Sequence, residues 1–320
     1  MTQLPQPRAM QLAWILTAAV GAVVLAASVI GGFRIAWGTF AVAAAATAVL
    51  AAIAWVYRTW RPDARIAAAT ESTALLISFA GVGAPFSYVL TAANLPLQDA
   101  SLHAADHLLG FDWRMVLQFF NDHPVAANIL SIAYQTFSLQ ATVTVLALAF
   151  CARFERLAIF MLSFMMSAIA CIVISAVVPA TGAWTFYGIG PQDHAAIAPV
   201  TQDTHLAVYS GLRSGSVREL VGSTAQGILT FPSFHAALGV VFIFALWGVP
   251  YLRWIGLVLN VGMILATPVE GSHYLTDVLA GLAVAVWCLT AATWLVRRLQ
   301  MSPVHSPAFA VQIPRVAVKD

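Results

Sequence analysis

The sequence predicts an all-α, polytopic transmembrane helix bundle of about eight spans. Three observations predict it. Of 320 residues, 61% are hydrophobic and only 9% are charged, against about 25% charged in a soluble domain. With a mean hydropathy of +0.85, the chain cannot cover a water-facing surface. Apolar stretches recur near the length of about 20 residues that a bilayer-spanning helix needs. The arginines then sort by side of the membrane.

The first stretch, 11–32, is too long for the apolar core of a signal peptide and lacks a small-residue cleavage site, so it reads as an anchor. The second, 36–57, is alanine-rich, and 66–93, 125–150 and 157–179 follow. The last three, 233–250, 254–270 and 274–296, include the two shortest, the sixth and seventh, and a count of six or seven stays open. With the N-terminus in the cytoplasm, Arg8, Arg58, Arg61, Arg65, Arg153, Arg156, Arg253, Arg297, Arg298, Arg315 and Lys319 all face inward. Only Arg34, Arg114, Arg213 and Arg218 face outward, as the positive-inside rule requires. The loops 94–124 and 180–232 then lie outside. The division expected is 1–65 as two helices outside the core, 66–298 as the core and 299–320 as a disordered cytoplasmic tail.

A net charge of +2 without a basic run gives no footing for nucleic acid. Cys151, Cys171 and Cys288 sit in or beside apolar stretches, without metal-ligand or disulfide-framework spacing. They read as small apolar residues. The first outer loop carries Asp99, His103, Asp106, His107, Asp112, Asp122 and His123. His103, Asp106 and His107 share one helical face, a spacing that admits a metal site. A helix in the headgroup layer, with Phe111, Trp113, Phe119 and Phe120 toward the bilayer, is the preferred reading. The second loop, about 50 residues long with Trp184 near its start, has the length at which loops usually carry function.

The chemistry-bearing residues cluster late. Ser272 is a possible N-cap of the last span, with His273 and Asp277 four apart on one face. An aspartate that takes one imidazole nitrogen leaves the other as nucleophile or base. The helix N-terminus would favour a bound phosphate. The same pair also reads as a satisfied helix-end contact. His235, after Pro232 and Ser233, opens another helix at the outer interface, where Ser233 serves as N-cap, phosphate ligand or both. Glu270 reads as an acceptor contact or a cap. Tyr134, Gln135 and Gln140 either line a cavity or make structural hydrogen bonds between helices.

The segments Phe231–Ala236 (FPSFHA) and Gly271–Gly281 (GSHYLTDVLAG), 38 residues apart from histidine to histidine, resemble the second and third motifs of the type 2 phosphatidic acid phosphatase (PAP2) superfamily. The branch they resemble contains inositol phosphorylceramide synthase. The resemblance covers the C-terminal two-thirds and leaves out the first two spans. It implies a six-helix core, a membrane lipid as substrate (phospholipid, ceramide or lipid phosphate) and a two-step reaction without metal or cofactor. It implies His273 as nucleophile through a phosphohistidine, Asp277 as the group orienting it, and His235 as general acid and then base. Two departures stand out. Ala266 and Thr267 occupy the positions of the third motif's Ser-Arg, and the first motif, a lysine followed by Arg-Pro, is not present in that form. Phosphoryl transfer needs charge on the equatorial oxygens, and Arg213 and then Arg218 are the outer-side cations nominated for it. Three readings follow: a lipid phosphotransferase, a lipid phosphate or polyprenyl diphosphate phosphatase, and a non-enzymatic transporter or scaffold. The intact histidines and aspartate speak against the third. The expected location is the bacterial inner membrane, with the site toward the periplasm. The oligomeric state has no signature in the sequence.

Overall fold

The computed structural model describes residues 7–190, 193, 204–222 and 228–301. Helices occupy every predicted span: α1 (Pro7–Gly31), α2 (Ala41–Thr59), α3 (Ala64–Thr91), then four short outer-end or half-span helices beginning with α4 (Asp99–Leu108), α5 (Trp113–Asp122) and α6 (Pro124–Gln135). The chain continues through α7 (Phe137–Phe150), α8 (Phe154–Val177), α9 (Ala183–Phe186), α10 (Thr204–Ser214), α11 (Phe234–Trp247), α12 (Arg253–Glu270) and α13 (Leu275–Met301). A two-residue parallel pair, β1 (Arg34–Ile35) with β2 (Glu219–Leu220), ties the α1–α2 turn to the second outer loop.

Among the described residues, five helices are long and apolar enough to cross a membrane, and α6 with α7 makes a sixth if the bent pair is one span. The chain is an integral, multi-pass membrane protein. α11 has 14 residues and reaches about 21 Å, short of a hydrocarbon core of about 30 Å. α12 has 18. The expectation of eight full spans is therefore tempered at the sixth and seventh. The α11–α12 hairpin returns to the end it left, so its depth does not change the sidedness of the other spans. α13 runs three residues past the expected start of the tail, and 302–320 lie outside the described residues.

α8 forms the middle of the bundle. Phe160, Met161, Leu162 and Met165 on it are fully buried against neighbouring helices. α1 and α2 pack on α3, with α1 also reaching α8 and α13. α6 and α7 meet at Thr136 with a 52° bend. The Thr136 hydroxyl donates to the Ala133 carbonyl at 2.6 Å, the kind of backbone competition by which threonine bends helices. The helix ends assigned to the cytoplasmic side meet one another, since Arg8 of α1 donates to the Leu299 carbonyl of α13 and Arg156 of α8 to that of Phe244 in α11.

The first outer loop departs from its expected form. Trp113 is fully buried and Phe120 nearly so, while Phe119 is exposed. The physical reason is the end of α12, whose last carbonyls lack partners within the helix. Trp113 Nε1 donates to the Pro268 carbonyl (3.1 Å) and Trp184 Nε1 to that of Val269 (2.7 Å). Two indoles thus cap α12, so Trp113 faces protein rather than bilayer. Asp106 is equally occupied. It is 1% exposed and accepts from the Leu275 and Thr276 amides at 2.8 Å and from the Thr276 hydroxyl. No group of three or more metal-binding side chains assembles among the described residues, at His103, Asp106 and His107 or elsewhere.

Candidate active site

The two histidine motifs are joined through backbone. Ser233 caps α11, its hydroxyl accepting from the Ala236 amide at 3.3 Å, and its own amide donates to the Asp277 carbonyl at 3.0 Å. Gly281, one turn beyond Asp277, sits against the Ser233 carbonyl, which a Cβ there would strike. Glycine at this position is what lets α13 approach α11 so closely.

His273 lies two residues before α13, in the connection from α12, rather than on the helix face expected. Its Nδ1 still pairs with Asp277 Oδ2 at 3.1 Å, and both side chains are buried. The same oxygen accepts from the Tyr274 amide at 3.0 Å. Burial lowers the His273 imidazole to about 4, offset in part by the Thr230 main-chain carbonyl beside it. The ring is therefore neutral at neutral pH, the form that has a lone pair to attack with.

Two local expectations change here. Ser272 does not cap α13. It has a φ of 59°, and its hydroxyl accepts from the Trp184 amide at 3.0 Å. The cap comes from Asp106 of α4, through space. Nor does the α13 N-terminus offer its amides to a phosphate, because Asp106 and Asp277 take those of Tyr274, Leu275 and Thr276. The N-terminus of α11 is the one presented to the cavity, through Phe234 and His235, and its dipole is positive at that end.

A cavity of about 880 Å³ holds the site. His235, His273, Tyr134, Thr181, Thr230 and Ser272 give it a polar region. Phe79, Gly83 and Ala84 of α3 with Phe164, Ala168 and Ile172 of α8 give it apolar walls. Among the described residues lining it there is no lysine or arginine. Arg213 donates to the Leu95 carbonyl at 2.8 Å and lies over the ring of Tyr209, a lining residue. Arg218 donates to the Leu212 carbonyl and packs over Phe33. The structure thus puts Arg213 at the margin of the cavity and Arg218 away from its wall. Ser233 is fully buried in its cap and does not line the cavity. Ala266 and Thr267, at the positions of the missing Ser-Arg, are fully buried in α12.

Of the polar residues read in the fourth span, Tyr134 and Gln135 line the cavity. Gln140 does not; it accepts from Asn260 Nδ2 at 2.7 Å and joins two helices. Glu270 is buried at the end of α12 without lining the cavity. The sequence placed Asp99 in the first outer loop without giving it a role. Its carboxylate accepts from the Thr181 and Gly182 amides and the Tyr274 hydroxyl, all at 3.0 Å. It ties α4 to the α8–α9 connection and to the third motif. The available signal was an acidic pair seven residues apart, Asp99 and Asp106, on one face in a chain with few charges.

Fold and site together define a multi-pass membrane protein with a buried His–Asp pair and a second histidine on one cavity. The profile of the PAP2 superfamily matches residues 100–291, and the chain belongs to that superfamily. Membership makes it an enzyme of the phosphatase and phosphotransferase kind, acting in a membrane on lipid phosphates. No curated protein and no solved structure matches the chain.

Proposed function

We propose that the chain is a lipid phosphotransferase that moves a phosphoryl-linked headgroup from a phospholipid to an alcohol, as inositol phosphorylceramide synthase does. His273 attacks phosphorus through Nε2, forming a P–N bond as the P–O bond to the diacylglycerol oxygen breaks. His235 gives that oxygen its proton. His235 then takes the proton of the acceptor hydroxyl, whose oxygen forms the new P–O bond as the P–N bond breaks. Asp277 holds the His273 Nδ1 and steadies the ring through both steps.

The observation that carries the reading is the cavity itself, which joins the buried His273–Asp277 pair and His235 to apolar walls yet has no lysine or arginine among its described lining residues. A phosphomonoester carries close to two negative charges at neutral pH, since its second pKa is about 6. A phosphodiester carries one. The α11 dipole, equivalent to about half a charge, suits the diester better than the dianion. Arg213, at the margin, acts on approaching headgroups rather than on the transferring group. Arg218 and Ser233 support the outer loop and the α11 cap. In this reading the site faces the periplasm of a bacterial inner membrane.

The test is purified protein with a phospholipid labelled in its headgroup phosphate, with and without ceramide or a simple lipid alcohol. Label transferred to the acceptor, with an acid-labile phosphoprotein lost in His273→Ala, is the expected result. Release of inorganic phosphate alone would instead support a lipid phosphate or polyprenyl diphosphate phosphatase.

A further inference from the structure

His235 arrives at the cavity already held. Its Nδ1 shares a hydrogen bond with the Tyr134 hydroxyl at 3.1 Å. The two rings lie 4.1 Å apart and 19° from parallel. Phe137 covers the imidazole from another direction at 4.9 Å. Tyr134 is the penultimate residue of α6, and Phe137 is the first of α7. The 52° bend between these helices therefore turns two residues that straddle Thr136 into a clamp on one ring. A straight helix would point residues three apart along one face, without enclosing a side chain between them.

The Tyr134 hydroxyl also lies beside the nucleophile. A Cβ on Gly271 would be 2.7 Å from that hydroxyl and 2.5 Å from His273 Cδ2, so both groups border the space of one methyl. Tyr134 is 3% exposed, and the carboxylate of Glu270, also buried, is within Coulombic reach of it. The titratable groups gathered about the Tyr134 hydroxyl are thus His235 from α11, Glu270 from α12 and His273 from the α12–α13 connection.

From this geometry we infer that Tyr134 is the positioning residue for His235. Its hydroxyl accepts from His235 Nδ1–H and its ring fixes the imidazole plane, so that Nε2 is the nitrogen that gives and takes the proton. The inference rests on the reading of His235 as general acid and base. Nδ1–H persists in both the imidazolium and the neutral base, so one contact serves both halves of the reaction. A wrong tautomer leaves the geometry intact while removing the function.

Tyr134→Phe deletes the hydroxyl and keeps the stacked ring. With the phospholipid donor, kcat is expected to fall about 10- to 100-fold, with KM within about threefold and an unchanged Tm. Nitrogen-15 spectra of histidine-labelled protein, with His235 assigned by its loss in His235→Ala, should change from the Nδ1–H tautomer to a mixture. A Tyr134→Phe protein with wild-type kcat and tautomer overturns the inference. So does a lower Tm with the tautomer preserved, which marks a purely structural residue. If Tyr134→Phe does not fold, 3-fluorotyrosine at 134 decides. A shifted His235 Nδ1 resonance supports the contact, and an unmoved one overturns it. His235→Ala run in parallel separates the two readings. Full activity in His235→Ala, with the tautomer of the intact His235 still altered by Tyr134→Phe, removes the catalytic role of His235 and leaves the contact standing.

Discussion

The amide of Ser233 donates to the main-chain carbonyl of Asp277 at 3.0 Å, so the two histidine motifs are fastened to each other before any side chain is considered. His235 and His273 occupy one wall system because α11 and α13 begin side by side. The smallest residue at Gly281 permits that approach.

Gly281→Val tests the fastening. The added side chain meets the Ser233 carbonyl and must push α11 away, at a cost of about 1–3 kcal/mol for overpacking a tight contact. Thermal unfolding in detergent should show a lower Tm, and turnover should fall with it. An unchanged Tm would mean that the helices separate without loss.

The catalytic assignment makes a sharper demand. His273→Ala and His235→Ala should each lower turnover by at least about 10²-fold, and the nucleophile variant by more. Expression and Tm should stay close to wild type. Asp277→Asn should lower turnover while retaining the fold, through loss of the group that orients His273. Full activity in both histidine variants would remove the site.

pH separates His273 from an ordinary histidine. Its folded value is lowered from 6.5 to about 4 by burial, so the proposed nucleophile stays neutral as pH falls through 6.5. Phosphoprotein formation measured in single turnover should therefore lose no rate to His273 between pH 7 and 5. Stability follows the same shift. The unfolded chain takes up a proton near 6.5 and the folded one near 4, so this residue's share of stability is complete above 6.5 and lost as pH falls toward 4. Acid unfolding of His273→Ala should be less steep in that window.

Asp106 is the through-space cap of α13, with two backbone amides on one carboxylate. Asp106→Ala should lower stability by about 1–3 kcal/mol, the range for a lost cap and orphaned buried donors. Because α13 carries Asp277, the same variant should weaken turnover through a displaced His273. Chemical denaturation and activity on one preparation measure both.

The apolar walls should set chain length. Ala168→Phe or Gly83→Leu narrows the cavity between α3 and α8, where both residues line it. Turnover of long-chain donors should drop relative to short-chain ones, read as kcat/KM across a series of acyl lengths. An equal effect on all lengths would place the tail elsewhere.

Much of the fold was legible in the sequence, because hydrocarbon admits only segments that satisfy their own backbone. Seven of the eight apolar runs therefore became one helix each and the fourth became the bent pair α6–α7, with the Ser233 cap in place. The sequence marked the sixth and seventh runs as the shortest and left the count open, but did not decide whether α11 crosses alone, since length and depth are separate quantities. It misread Trp113 and Phe120, because an aromatic suited to a membrane interface is also suited to closing a helix end. Trp113 lies 155 residues from the carbonyl it caps, and no local pattern carries that information.

By itself, then, the sequence determined a multi-pass helical membrane protein and nominated His235, His273 and Asp277 as its candidate chemical centre. The tertiary structure decided what surrounds them: Asp106 and not Ser272 at the start of α13, Asp99 beneath Tyr274, Tyr134 against His235, and a cavity lined without arginine among its described residues. Helix formation and membrane insertion are written in neighbouring residues. The partners of a buried polar group come from whichever helix the packing brings near, and that is settled only when the whole bundle closes.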